Sequence, residues 1–275
     1  MARPSAETNL RTYDTADVAS HYAGLEYLTP CERLLFESYV RPGGSVLDLG
    51  VGGGRTTAFL SRRAERYVGV DYAPAMISAC QRKFPDLQFV VADAADLSAF
   101  QDAAFDAVVF AFNGIDYVFP AEARLACLQQ IRRILKPEGV LIFSSHNPRA
   151  IFVRKVWNRE RLRNMASLYA RSSPVSRAML LAMLSFVAFP WALVQSSIST
   201  VPRLPRLFSH AFWSGEGNMI DRAHGGLFTH YAVPERFIDA MDTMRLRCER
   251  IVNNDSPQSS HRYATDWYYY VFAKR

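Results

Sequence analysis

Residues 46–54 read V-L-D-L-G-V-G-G-G. Val46, Leu47 and Leu49 form a nearly unbroken apolar run into glycines, the pattern of a strand buried on both faces of a sheet. Glycines 50, 52 and 54 follow it and precede a helix, where a ligand can approach bare backbone closely. The dinucleotide fingerprint GxGxxG would need glycine at position 55, and Arg55 stands there. Asp48, two residues before Gly50, would repel a pyrophosphate but could orient a ligand ammonium group, directly or through water. This one stretch therefore predicts a strand–turn–helix unit that accepts a ligand without phosphates.

Outward from it, strand and helix patterns alternate from Ser45 to Asn147. A helix is expected over 55–63, a second strand over 66–71 (RYVGVD), and a helix from Pro74 to about Phe84, with Pro74 in its first turn. Strands follow at 88–93 and 105–112. A helix over 121–135 carries Leu125, Leu128, Ile131, Ile134 and Leu135 at helical spacing. Lys136-Pro137-Glu138-Gly139 stops it before a fifth strand, VLIFSS (140–145). Repeated right-handed strand–helix–strand units imply a parallel sheet covered on both faces, with its ligand crevice at the carboxyl ends of the strands. After an interruption of about 80 residues the pattern resumes at Pro234 with a helix, then two strands (248–254 and 266–275) expected to pair antiparallel.

The expected organisation is a flap over 1–31, a discontinuous core of 32–147 plus 228–275, and an insertion over 148–227. Hydrophobic residues are 49% of the 275 and charged residues 21%, which excludes a disordered or fibrous chain. Four dispersed cysteines without a CxxC pair fit a reduced, cytoplasmic setting, and the histidines and cysteines show no metal-ligand spacing, so no metal is expected. The first residues, MARPSAETNLRTYD, hold no apolar run, which argues against a secretory signal. Between Arg149 and Arg206 ten Lys/Arg face one acid, Glu160, so this segment carries +9 of the net +6 and the remainder is −3.

Asp71 ends the second strand, 21 residues after Gly50, where a carboxylate can accept both hydroxyls of a ribose. Together with Asp48-Leu49-Gly50-Val51-Gly52-Gly53-Gly54, the runs Ala92-Asp93-Ala94, Phe105-Asp106 and Leu135-Lys136-Pro137-Glu138-Gly139 arrive in an order that resembles the class I S-adenosylmethionine-dependent methyltransferases. The resemblance covers about 45–145 and, more loosely, the C-terminal helix and strand pair. It implies an α/β, Rossmann-like, doubly wound seven-stranded sheet, mostly parallel with the last strand antiparallel, and a mainly helical insertion after the fifth strand. It also implies S-adenosyl-L-methionine as cofactor. Gly50, Gly52 and Gly54 would face its methionine end with Asp48 assisting, and Asp71 would hold the ribose. Met76 would pack on the adenine, and Asp93 with the Ala94 backbone would take the adenine amino group. Phe112 and Asn113 would lie beside the sulfonium, and Tyr13 and Tyr22 resemble an aromatic flap over the cofactor. Local capping by Asp48 and a turn role for Asp93 are the plainer alternatives, and Asp106 is assigned to a turn contact opposite the crevice.

Methyl transfer needs alignment and exclusion of water, and a base only when the acceptor loses a proton. His146, ending the fifth strand, is the first candidate base or orienting group, against the alternative of a satisfied buried histidine. Asp116 and Tyr117 come second, with turn capping the alternative for Asp116. His224, His230, Tyr231 and His261 are candidates for the acceptor pocket or for exposure. The segment NGID (113–116) does not match the motif of amino-methylating nucleic-acid enzymes, and no basic–aromatic module is recognisable, so a small-molecule acceptor is expected and nucleic acid is disfavoured. The apolar run 178–194 would span ~25 Å as a helix, short of the ~30 Å hydrocarbon layer, and Pro190 interrupts it. A lid helix and a helix lying on the inner face of an anionic membrane both remain, the latter suited by the basic residues, Trp157 and Trp191. Gly225-Gly226 is a candidate hinge. The rival functions are an RNA methyltransferase that uses the basic insert and a non-catalytic membrane or protein-interaction module.

Overall fold

The structure is a computed structural model and describes residues 10, 13–151, 179, 186, 201–221, 227–254 and 265–275. Helix α1 (Ala16–Ala23) and α2 (Pro30–Tyr39) lead into β1 (Gly44–Leu49), α3 (Thr57–Arg63), β2 (Ala64–Asp71), α4 (Pro74–Lys83), β3 (Gln88–Val91) and β4 (Phe105–Phe110). A 3-10 turn (Gly114–Tyr117), α5 (Ala121–Ile134) and β5 (Leu135–His146) follow. The later elements are a 3-10 helix (Val201–Phe208), α6 (His210–Ser214), β6 (Glu216–Asp221), β7 (Leu227–Ala232), α7 (Pro234–Thr243), β8 (Leu246–Asn253) and β9 (Trp267–Lys274). Helix α2 starts where Thr29 and Glu32 form a reciprocal capping box with Pro30 in the first turn.

Seven strands form one sheet in the order β3-β2-β1-β4-β5-β9-β8. β1 to β5 run parallel, and β9 is antiparallel to both β5 and β8. The expected sheet is therefore present, with its final strand antiparallel between two neighbours. Because strand side chains alternate, β1 sends Leu47 and Leu49 to one face and Val46 to the other. On the first face they join Leu128, Ile131 and Ile134 of α5 and Phe237 and Met241 of α7. On the second, Val46 joins Leu35 and Phe36 of α2, Leu60 of α3 and Ile77 of α4. Asp106 stands at the amino ends of the strands, accepting from the Ser45 backbone N–H and from Lys136 Nζ at 2.8 and 2.7 Å, opposite the crevice.

One feature was not expected. β6 and β7 form a separate antiparallel hairpin pairing Glu216 with Ala232 through to Asp221 with Leu227. The described part of the insertion thus ends in strand, and residues 227–232 pair with the insertion and not with the large sheet. The remaining insertion features singled out in the sequence, including most of 178–194, Trp157, Trp191, His224 and Gly225-Gly226, lie outside the described residues, as does His261. Among the described residues no helix is long and apolar enough to cross a membrane.

Candidate active site

The strands β1, β2 and β4 all end at one cavity. Tyr22, Asp48, Gly50, Gly52, Asp71, Met76, Asp93, Ala94 and Phe112 line it together, and Tyr117 and Tyr13 stand in the same wall. Two of the expected cofactor-binding residues do not line it. Gly54 (φ +81°) turns away toward α4, where an added Cβ would sit 2.9 Å from the Phe84 ring, so its role is close packing. Asn113 lies one layer behind, buried, with its backbone N–H donating to Ser144 Oγ at 2.7 Å.

The two acids do different local work. Asp71 Oδ2 accepts the Gly52 N–H at 2.9 Å and Oδ1 accepts the Ala73 N–H at 3.0 Å, which pins the glycine turn to the end of β2. Asp48 Oδ2 accepts from Thr56 Oγ1 at 2.7 Å and from the Tyr67 hydroxyl at 2.9 Å. Burial pushes the Asp48 carboxyl up to about 6 despite those two donors, and burial likewise raises Asp71. Asp93 is exposed and accepts the Ala95 N–H at 2.8 Å, a turn contact made while it lines the cavity.

Arg55, noted in the sequence only for not being glycine, also lines the cavity and was missed. Its guanidinium donates to both oxygens of Glu32 on α2, and the Tyr269 hydroxyl of β9 donates to the same carboxylate. It lies 4.6 Å from the Phe112 ring centre and 5.2 Å from that of Tyr27. Arg55 is the one cationic residue among the described residues of the wall, and Glu32 neutralises it. Tyr72, next to Asp71, was missed as well: it lines the cavity, and its buried hydroxyl has no hydrogen-bond partner among the described residues. Gly53 admits α1, because a Cβ there would lie 2.3 Å from the carbonyl carbon of Tyr22 and from the backbone nitrogen of Ala23.

His146 and Asp116 are absent from the cavity wall and form a buried network behind Tyr117. Asp116 Oδ2 accepts the His146 backbone N–H at 2.7 Å and stands 2.8 Å from His146 Nδ1, while Oδ1 accepts from Ser145 Oγ at 2.7 Å. His146 Nε2 lies 3.2 Å from Asn113 Nδ2, a pair that requires the Nδ1–H tautomer when Asn113 is the donor. The Tyr117 ring meets His146 edge-on at 6.1 Å and Tyr13 at 6.2 Å, so one side chain separates His146 from the flap. Phe112 and Asn113 both have left-handed backbone (φ +57° and +64°), strain that bends the chain sharply between cavity and network. His230 joins the network from β7. Among the described residues no group of His, Cys, Asp and Glu is arranged to hold a metal.

Residues 46–139 match a family model described as a methyltransferase domain. The chain is 39% identical over 102 residues to a demethylmenaquinone methyltransferase of Beutenbergia cavernae, covering 37% of this chain and 40% of that protein. It is 33% identical over 117 residues to a malonyl-[acyl-carrier protein] O-methyltransferase of Halorhodospira halophila, covering 41% of this chain and 38% of that protein. The match therefore spans less than half the length of these relatives. Among solved structures, a 1,6-didemethyltoxoflavin-N1-methyltransferase from Burkholderia thailandensis, bound to 1,6-didemethyltoxoflavin and S-adenosylhomocysteine, superposes with a TM-score of 0.56. It is 15% identical and covers 100% of this chain and 91% of that one, a likeness of fold alone. Residues 46–139 are therefore similar to a methyltransferase domain, and the sheet around them has the fold of S-adenosylmethionine-dependent methyltransferases.

Proposed function

We propose that the chain binds S-adenosylmethionine in this cavity and transfers its methyl group to an oxygen or nitrogen of a small molecule. One observation carries the reading: three carboxylates, a bare glycine turn and a Tyr72 hydroxyl with no hydrogen-bond partner among the described residues share one wall whose described cation is already neutralised. Such a wall suits a nucleoside with a cationic end and opposes a phosphate. Asp71 would take the ribose and Met76, Asp93 and Ala94 the adenine, while the turn at Gly50 and Gly52, with Asp48, would take the methionine end. When bound, the cofactor supplies an activated methyl group. Tyr13, Tyr22 and Tyr117 exclude water over it, and Phe112 borders the reacting centre. His146, its ring fixed by Asp116, lies behind Tyr117 and is assigned to orienting that wall of the site, since it does not reach the cavity as a base.

The acceptor is proposed to be lipophilic or glycan-precursor-like. Quinone-like acceptors appear in the name of one relative and a carrier-bound acyl group in that of the other, which supports small molecules without choosing between them. Calorimetry is expected to show S-adenosylmethionine binding that weakens at least about tenfold in Asp71→Ala, which frees the Gly52 N–H. A labelled-methyl assay should mark a metabolite extract. Undiminished binding in the variant would remove the site, and label only in total RNA would replace the substrate class with RNA. Peripheral contact of 178–194 with an anionic membrane is part of this proposal: sedimentation with anionic liposomes should fall when that segment is deleted, and no sedimentation of the intact chain would leave the lid alone.

A further inference from the structure

Asp48 precedes the glycine turn, Arg55 follows it, and both side chains line the cavity. A guanidinium carries five N–H donors. In Arg55 three of them are used: Nη1 donates to Glu32 Oε2 at 2.7 Å and to the Tyr27 carbonyl at 2.9 Å, and Nη2 donates to Glu32 Oε1. The Nε–H and the second Nη2–H have no acceptor among the described residues. Asp48 is incomplete with the opposite polarity. Both of its donors, Thr56 Oγ1 and the Tyr67 hydroxyl, end on Oδ2, and Oδ1 accepts nothing among the described residues. Between the two, Gly52 leaves the backbone bare, since a Cβ there would meet only the Tyr22 ring, at 3.9 Å.

The guanidinium is held in place by the protein itself. Glu32 is fully buried, grips it through both oxygens and takes a further bond from the Tyr269 hydroxyl. The Phe112 and Tyr27 rings lie 4.6 and 5.2 Å from its central carbon. A side chain fixed at this many points loses little freedom when a ligand docks. The pairing with Glu32 also decides which anion Arg55 can take. The pair has no net charge, and the other charged groups of the described wall are Asp48, Asp71 and Asp93, so nothing there offsets the surplus charge of a phosphate. An α-amino acid end is a zwitterion at neutral pH. Its carboxylate needs donors and no surplus of positive charge, and its ammonium needs an acceptor close by.

We propose that Arg55 is a cofactor-binding residue: its Nε–H and spare Nη2–H take the α-carboxylate of the methionine end, while Asp48 Oδ1 takes the α-ammonium. The inference rests on the reading of the cavity as an S-adenosylmethionine site and names the group that selects the amino-acid end. Burial raises the proton affinity of Asp48, and Arg55 is near enough for its charge to act against that rise. An ammonium at Oδ1 acts in the same direction, so a bound zwitterion keeps Asp48 ionised. Arg55 thus has two duties, an internal ion pair that fixes its plane and a pair of donors left for the ligand.

Calorimetric titration of the full chain with two ligands tests this: S-adenosylhomocysteine, and S-adenosyl-3-thiopropylamine, the same molecule without its carboxylate. Arg55→Gln should weaken S-adenosylhomocysteine at least about tenfold, because charge-assisted bonds to the carboxylate are lost. The same variant should bind the decarboxylated analogue within about twofold of wild type or more tightly, because that ligand is a cation and a cationic wall residue has gone. Arg55→Lys keeps a charge against Glu32 and reads the same comparison should Arg55→Gln unfold. There S-adenosylhomocysteine should lose at least about threefold relative to the analogue, since an ammonium held by Glu32 lacks the spare fork of donors. Equal weakening of both ligands would show that Arg55 acts only through the fold and would overturn the proposal, as would unchanged S-adenosylhomocysteine affinity in Arg55→Gln. Failure of the wild type to bind either ligand would instead overturn the reading of the cavity as a methyltransferase site.

Discussion

Replacing Gly53 by alanine tests how the flap closes the cavity. Gly53 is outside the left-handed region that Gly52 (φ +55°) and Gly54 (φ +81°) occupy, so alanine is no burden on its own backbone. The new methyl would nevertheless sit 2.3 Å from the Tyr22 carbonyl carbon and the Ala23 nitrogen, and 2.6 Å from the Tyr22 oxygen. Carbon atoms pack at about 3.5–4.0 Å, so α1 must withdraw by about 1 Å. No side-chain rotation relieves the clash, because the opposing atoms are backbone. Two tethers resist the withdrawal: Asp14 Oδ1 accepts the Ala75 N–H at 2.9 Å, and Lys83 Nζ donates to the Ala23 carbonyl at 3.0 Å. Overpacking of this kind costs about 2 kcal/mol, and where ligand binding needs α1 docked, that is about thirtyfold in affinity. Calorimetric titration with S-adenosylhomocysteine reads the loss, and thermal unfolding should change little, since α1 packs on its own small cluster with Met76 and Ala79 and not in either face of the large sheet. Binding within about twofold of wild type, with no added protease cleavage around 22–29, would refute the view that α1 closes the site.

Asp48 and Glu32 offer two more tests. The folded chain binds the Asp48 proton more tightly than the unfolded chain, with a value of about 6 against 3.8, so this group contributes most stability below the lower value and loses it as pH rises toward the upper. Asp48→Asn should therefore gain up to about 3 kcal/mol on the wild type between pH 4 and pH 7 in urea unfolding, while S-adenosylhomocysteine affinity falls; a flat difference across that range would refute the burial argument. Glu32→Gln leaves the buried Arg55 guanidinium without its anion and should destabilise the fold by about 3–5 kcal/mol in chemical denaturation, and a loss below about 1 kcal/mol would show that water or another group replaces the carboxylate.

Local pattern made the sheet and most of the cavity legible. Asp48 and Asp71 were readable because each is fixed by its distance from a strand end, and strand ends in a doubly wound sheet face the crevice. The Arg55–Glu32–Tyr269 cluster was not, since Tyr269 is 237 residues from Glu32 and no periodicity links them. Gly54 and Asn113 looked like ligand contacts for the same positional reason that Gly52 and Phe112 did. Their turning away depends on the Phe84 ring in one case and on consecutive left-handed residues in the other. The hairpin β6–β7 escaped notice because six-residue strands outside an alternating unit carry a weak signal.

By itself the chain's order of residues determined the strand succession, the glycine bend and the acids at strand ends, because hydrophobic period and backbone permissiveness act within a few residues. Which of those groups share a cavity, and that two histidines 84 positions apart flank one buried carboxylate, was decided only in three dimensions. Charge, burial and close contact act through space, so partners brought in by β5, β7 and α1 leave no local trace along the chain.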